Sequence, residues 1–529
     1  MQATKETVQK RPHTALWVIL CVVLLCAAGA ALYFCRWAEK PLTLAEGYVA
    51  AEGLTADITN GEGAVLSQPV RGTKVTYVVE DEDKDHPGLV RLVLGEDSFG
   101  YLAREHLVTD PKDVVSTKTI YVRTAVNLLD EAGAVPGRLV QKGEALTVTG
   151  WQDMDASGAV GRWQVEGGYI RAEYVTMDEP SAKAQYDQEV YQLHADRGDS
   201  WGGGDAAGLD YFPREKASFE GHPMPGEVKA LYLNSESIAQ AAEYVEVADS
   251  CGINAFVVDI MDGGAIAYPS EVMKQYSPSA YESAYNTLEV YQAGIKTLKD
   301  AGYYVIGRIT AFNDPNLAED HPECVIADQA SEPLQIGGMY WPSVYSRFVW
   351  QYKVELGLEA ARLMGFDEIQ FDYVRFPDNT DQYEASGDID FRNEYGETKA
   401  QAIQRFLMYA TDILHEYGVY VDADVFGETS RNYVTAYGQY WPAISNVVDV
   451  ISGMPYPDHF ARNGTYRPWE HPYETLLDWA EGHKGARKYV AFADKCWPAF
   501  PEQFGFEPCY VNSRLASRGI SVACEEDIY

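Results

Sequence analysis

Cations are scarce in this chain. Its 529 residues carry 42 Lys and Arg against 79 Asp and Glu, a formal charge of −37. Nucleic acids and anionic surfaces are bound through clustered Lys and Arg, so neither is expected as a partner, and the acidity reads as solubility. Cysteine is sparse and scattered. Of the eight, Cys21, Cys26 and Cys35 share one apolar stretch, and Cys251, Cys324, Cys496, Cys509 and Cys524 are spread through the rest. No C-x-x-C pair occurs, so neither a disulfide framework nor a structural zinc site is indicated. A G-x-x-x-x-G-K-[ST] phosphate loop is also missing. Ser, Cys and Thr nucleophile schemes find no support, and no cofactor or metal is implied.

What is present is organised in blocks, and the length calls for several domains. Residues 1–13 are polar, with Lys5, Lys10 and Arg11. Residues 14–35 are almost uncharged and long enough for a bilayer crossing, which takes about 20 residues. The apolar core of a cleaved signal peptide is shorter, ~7–15 residues, although Ala27–Ala31 offers a cleavage site. The expectation is a transmembrane signal anchor with a cytoplasmic tail at 1–13. The rest of the chain would lie outside the cell, as in a single-pass cell-membrane protein.

Residues 45–178 read as all-β, with short strands between Gly, Asp and Asn. An internal repeat is visible. Gly100-Tyr101-Leu102-Ala103-Arg104-Glu105-His106-Leu107 matches Gly168-Tyr169-Ile170-Arg171-Ala172-Glu173-Tyr174-Val175. The order resembles bacterial SH3-like domains, small β-barrels, at 45–112 (divergent) and 113–178. That resemblance implies wall-glycan or wall-peptide binding, and a structural spacer is the other reading. Residues 179–226, rich in Gly, Asp, Ser and Pro, read as a linker.

From 227 onward strands alternate with helices. Strands are expected at 228–234, 255–260, 304–310, 368–374, 420–426, 448–454 and 489–494. Helices are expected at 237–250, 287–301, 346–364, 398–417 and 473–481. The alternation predicts a (β/α)8 TIM barrel over 227–529, the last domain of a multidomain chain that begins with a transmembrane helix and small β-barrels. Barrel enzymes place their chemistry at the carboxyl ends of the strands. The pleat turns Asp259, Arg308, Asp372, Asp422 and Asp424 inward, with Glu428 in the following loop. Asp372 and Asp424 therefore end adjacent strands at one mouth. Two carboxyl groups flanking one bond are what glycoside hydrolysis needs, one to protonate the leaving oxygen and one to attack carbon or activate water. For a single inward Asp, a salt bridge to Arg308 or Arg375 is the competing reading.

The stretch Gly365-Phe366-Asp367-Glu368-Ile369-Gln370-Phe371-Asp372-Tyr373-Val374-Arg375-Phe376-Pro377 resembles the signature of a bacterial glycoside hydrolase-like TIM-barrel family, long catalogued as a domain of unknown function. Arg308–Pro315, Asp424–Gly427 and Ser452–Phe460 add to the resemblance, which spans about 228–495. The chain departs from the family pattern at Ser343, Gly453 and Asp458, and 495–529 does not match it. The resemblance implies a sugar-cleaving barrel. By position, Asp372 becomes nucleophile or base, and Asp424 the acid, with Glu428 as substitute. Asp259, Arg308, Arg375, Tyr456 and His459 become substrate contacts. Trp341 and Trp441 become stacking platforms, although most such rings are core. The expected partner is a polysaccharide or wall glycan. A barrel that binds glycan without cleaving it, and an envelope scaffold working through the β repeats, are the alternatives.

Overall fold

A computed structural model describes residues 42–456, with breaks at 51–54, 80–85, 96–97, 116, 156–157, 185–201, 205, 207–208, 210–216, 227 and 431–432, and Arg467, Glu470, His471 and Glu474 beyond them. Contacts divide the chain into two compact units, residues 1–116 with 150–161, and 117–149 with 162–529.

The first unit is strand-rich, as its short alternating runs predict. Leu44–Val49, Lys74–Val78, Leu89–Gly95 and Ser98–Ala103 belong to one antiparallel sheet. Val90, Leu92 and Leu102 alternate inward to meet Val49 and Ile58 in its core. The sequence repeat has a structural counterpart. Ser98–Ala103 runs into a 3-10 turn at Arg104–His106 and then strand Leu107–Val108. In the second unit Gly168–Arg171 runs into a 3-10 turn at Ala172–Tyr174 and then Val175–Thr176. Both copies close the turn through the same amide bond, Leu107 N–H to Arg104 O and Val175 N–H to Ala172 O. The SH3-like identity has only this repeat to stand on.

The second unit is dominated by one parallel sheet of six consecutive strands: β1 (Ala230–Leu233), β2 (Ala255–Asp262), β3 (Tyr304–Thr310), β4 (Glu368–Asp372), β5 (Tyr420–Phe426) and β6 (Val450–Met454). Each pairs in parallel with the next. Helices α1 (Ala241–Cys251), α2 (Leu288–Asp300), α3 (Arg347–Met364) and α4 (Lys399–His415) make the crossovers. Their starts carry the expected caps. Thr287 and Ser346 accept amide bonds at α2 and α3, and Thr398 and Gln401 form a capping box at α4. Gly365 stops α3 at a φ of +76, a left-handed cap that glycine enters without strain.

The sheet has two different faces. Its outer face, including Phe256, Val258, Ile260, Ile309, Ile369, Phe371, Val421 and Val425, packs with Leu298, Val349, Leu356, Phe406 and Leu414 from the helices. Phe371 is fully buried there, and cutting such a ring to Ala costs about 3–5 kcal/mol. The inner face begins apolar, with Ala255, Val257, Tyr304, Ile306 and Tyr420 at the amino ends. Toward the carboxyl ends it turns polar and charged.

The strand-rich segment that opens this unit is pinned to the outside of the helices. Tyr174 donates to Asp412 Oδ2 of α4 at 2.8 Å, and Arg171 Nη2 to Glu416 Oε1 at 2.6 Å. Arg347 Nε of α3 donates to Asn127 Oδ1 at 3.1 Å.

Two expectations are corrected. The described sheet is a curled half-barrel, not a closed (β/α)8 barrel. Its order runs from β1 to β6, and no described strand joins β6 back to β1. Closing a barrel takes tilted staves around a full circle, eight in the expected fold, and the seventh expected strand at 489–494 lies outside the described residues. The single-pass membrane placement is also corrected. Among the described residues no helix is long and apolar enough to cross a membrane, and the expected anchor at 14–35 lies outside them. The longest described helix, α3, carries Arg347, Lys353, Glu355, Glu359 and Arg362 and packs against the sheet.

Candidate active site

The mouth of the half-barrel is built around one guanidinium. Arg308, near the end of β3, is 8% exposed and its side chain crosses the inner face. Nη1 donates to Asp259 Oδ1 of β2 at 2.7 Å, and Nη2 to Asp372 Oδ2 of β4 at 2.6 Å. Nη1 lies 3.3 Å from Asp262 Oδ1, and Nε lies 4.0 Å from Asp424 Oδ2 of β5. The planar fork of Arg serves several carboxylates at fixed angles, which a Lys point charge cannot do. Asp372 and Asp424 thus share one cation, inside the ~9.5 Å limit that paired-carboxylate hydrolysis sets.

The two carboxyls have unlike surroundings. Asp372 receives two donors. Arg308 holds Oδ2, and the Tyr373 amide donates to Oδ1 at 2.6 Å. That amide is aimed by an unusual backbone. Tyr373 has a φ of +53, which costs a non-glycine residue roughly 1–2 kcal/mol. The turn ends β4 at Asp372, whereas the sequence pattern ran the strand on to Val374 and stopped it at Pro377. Among the described residues Asp424 makes no hydrogen bond through its carboxyl. Burial first, then the neighbouring Asp372 and Asp422, push its carboxyl well above the ordinary range, against the opposing pull of Arg308.

Asp259 is 1% exposed, and both its oxygens are taken, one by Arg308 and the other by the Tyr232 hydroxyl of β1. Burial pushes its carboxyl up to about 6 although Arg308 opposes the shift. It fastens the guanidinium. Arg375 is also buried. Its guanidinium lies 4.5 Å from the Phe426 ring, 5.0 Å from Trp341 and 5.2 Å from Tyr373. Nη1 donates to Phe376 O at 3.1 Å and lies 3.3 Å from Asp378 Oδ2. Trp341 is 3% exposed, with Arg375 over its ring and its Nε1 donating to Ile336 O. Trp441 is buried in the core. Glu428 accepts from the Tyr433 and Tyr437 hydroxyls, the latter at 3.0 Å. Tyr456 is buried just beyond β6, and His459 lies outside the described residues.

Beneath the mouth lies a second acidic layer. Asp422 Oδ2 accepts from Gln370 Nε2 and Ser452 Oγ, each at 2.7 Å. Glu368 Oε2 accepts from the Tyr304 hydroxyl at 2.9 Å. Neither carboxyl forms an ion pair. Two positioning residues had no signal in the sequence. Tyr232 reaches Asp259 from the neighbouring strand. Gln439, fully buried in a loop, donates to Val374 O and Asp424 O and accepts from the Phe426 amide, tying the ends of β4 and β5 together.

Among the described residues no group of three His, Cys, Asp or Glu side chains is arranged to hold a metal ion. A G-x-S-x-G spelling does occur, at Gly198–Gly202, within a Gly-, Asp- and Ser-rich run that reads as a linker. The motif works as a nucleophile elbow only on a strand-to-helix turn, and 198–201 lie outside the described residues.

Parallel strands thus set two carboxyls at adjacent carboxyl ends over a shared arginine. The chain belongs to the family described as "Putative glycosyl hydrolase domain", whose model matches residues 230–497. No curated protein matches it. Among solved structures, a hypothetical protein from Ruminiclostridium thermocellum is similar at 31% identity, over 37% of this chain and 97% of that one, with a TM-score of 0.31. The PgaB (BpsB) glycoside hydrolase domain from Bordetella bronchiseptica is similar at 15% identity, over 50% and 82%, with a TM-score of 0.36. A chitobiase from Flavobacterium johnsoniae follows at 13%, over 47% and 39%, with a TM-score of 0.32.

Proposed function

We propose that this protein hydrolyses glycosidic bonds in a polysaccharide, with a cell-surface or wall glycan as the substrate class. Asp424 is the acid and gives its proton to the departing glycosidic oxygen. Asp372 is the base or nucleophile, taking a proton from the attacking water or attacking the anomeric carbon itself. The observation that carries this reading is the asymmetry of the pair. One carboxyl is doubly hydrogen-bonded and paired to Arg308, and the other is buried without a hydrogen bond among the described residues and is pushed well above the ordinary carboxylate range. Environments that push two neighbouring carboxyls apart divide the work between acid and base. Family membership supports the reaction class.

Arg308 holds Asp372 in register with Asp424, and Asp259 and Tyr232 hold Arg308. Glu428 and Arg375 line the rim near the ends of β5 and β4, where substrate hydroxyls would pass. The test is incubation of the full chain with a panel of purified wall and exopolysaccharides, with reducing ends as the readout. Release by the wild type, lowered ~10²–10⁴-fold in Asp372→Asn and Asp424→Asn with folding intact, is the expected result. Retained glycan binding without release would instead establish a non-catalytic glycan-binding protein.

A further inference from the structure

Asp422 belongs to none of the roles above, yet it is the most conspicuous polar group under the mouth. It is 1% exposed. It lies two residues before Asp424 on β5, on the same face of the pleat, so the two carboxyls are stacked about one rung apart. Gln370 of β4 and Ser452 of β6 both donate to its Oδ2. Its Oδ1 is buried and has no partner among the described residues. Two donors on one oxygen suit an anion, and nothing on the other oxygen neutralises it. An uncompensated charge in a poorly screened interior acts strongly on its neighbours.

We propose that Asp422 is a positioning residue for the reaction: its buried carboxylate, one rung below Asp424, is a negative charge that helps keep the proton on the acid. The consequence for catalysis rests on the assignment of Asp424 as acid; the coupling of the two carboxyls does not.

The groups facing Asp422 from each element fit this role. From β3 come Arg308, engaged at the mouth by Asp259 and Asp372, and the Tyr304 hydroxyl. From β4 come Asp372 and Glu368. From β5 itself come Asp424 and Tyr420, and β6 adds only the neutral Ser452. Asp449, at the amino end of β6, is paired with His415 at 2.7 Å. Glu368 is pushed well above its ordinary value by burial and by the charge of Asp422, so it is the neutral member of the lower pair. Asp422 itself, pushed up to about 6 by burial, is ionised at neutral pH. Its charge then adds to that of Asp372 in holding the Asp424 proton.

The test is Asp422→Asn in the full chain, which keeps the side-chain shape and removes the charge. On whichever polysaccharide the wild type hydrolyses, the alkaline limb of kcat against pH should move down by about two units, with KM unchanged. Two units is the order of shift expected from a single charge roughly 6 Å away at an effective dielectric near 20. Carboxyl ¹³C NMR of Asp-labelled protein supplies a readout that needs no substrate: the Asp424 titration midpoint should fall in the variant. Should the protein hydrolyse no polysaccharide, the assignment of Asp424 as acid fails while the NMR shift still decides the coupling. Should Asp422→Asn not fold, Ser452→Ala removes one of the two donors that hold the anion and should move Asp424 the same way by less. An Asp424 midpoint and alkaline limb that superimpose on the wild type would overturn the proposal and leave Asp422 a structural residue.

Discussion

Two acidic layers lie one rung apart inside the half-barrel, and they are held by opposite means. In the mouth layer Asp259, Asp372 and Asp424 surround Arg308. In the layer beneath, Glu368 and Asp422 have only neutral donors, Tyr304, Gln370 and Ser452. Burial is similar in both, so it is not burial that separates them. The difference is the cation. Taking a carboxylate out of water is expensive unless a counter-charge or a proton compensates it. The upper layer is built on a guanidinium. The lower layer has no cation among the described residues, and burial with the charge of Asp422 pushes Glu368 well above its ordinary value. Asp424 stands between the two regimes, close to Arg308 but bonded to nothing, and that intermediate position suits a group that must both hold and release a proton.

The largest effect should come from the two carboxyls of the mouth. Asp372→Asn and Asp424→Asn should each lower hydrolysis ~10²–10⁴-fold with little change in thermal stability, measured by reducing-end release beside a melting curve. Equal activity in either variant would break the contrast between the layers. Next in size is the cation. Arg308→Met leaves the buried Asp259 and Asp372 without their counter-charge and should destabilise the unit by about 3–5 kcal/mol in chemical denaturation, while Arg308→Lys should recover only part of the loss.

The lower layer is expected to reveal itself through pH. Burial pushes the Asp422 carboxyl up to about 6, above the ordinary aspartate range. A group raised on folding contributes stability that is fully present below its unfolded value and is lost as pH climbs through the folded one. Melting temperature should therefore fall between pH 4 and 6, and Asp422→Asn should flatten part of that fall. Asp259, also at about 6, accounts for another part. The smallest effect is a control outside both layers. Gly365→Ala at the end of α3 meets no atom within 4 Å but adopts a φ of +76. It should cost about 1 kcal/mol in melting experiments and leave every pH profile unchanged.

Much of this arrangement was legible in the sequence. The period-2 alternation in β2 to β5 assigns Asp259, Arg308, Asp372, Asp422 and Asp424 to the inner face, because a strand has only two faces to choose between. The helices of the crossovers were equally plain as the helical runs between those strands. What the sequence hid has specific causes. The left-handed Tyr373 is not a residue type that announces such a turn, so the end of β4 was placed too late. Tyr232 and Gln439 act across strands and loops far apart in the chain, and no local pattern records such contacts. Trp341 looked like a platform for a sugar ring, but its face is covered by Arg375. Counting strands also overreached, since alternation predicts neighbours without predicting closure.

The central claim is that the acid of the pair carries its proton in the resting protein, and carboxyl ¹³C NMR of Asp-labelled wild-type protein across a pH titration tests it most directly. The account predicts that the Asp424 signal titrates well above the ordinary aspartate range. An Asp424 that titrates within or below that range would contradict it, because the assigned acid would then have no proton to give.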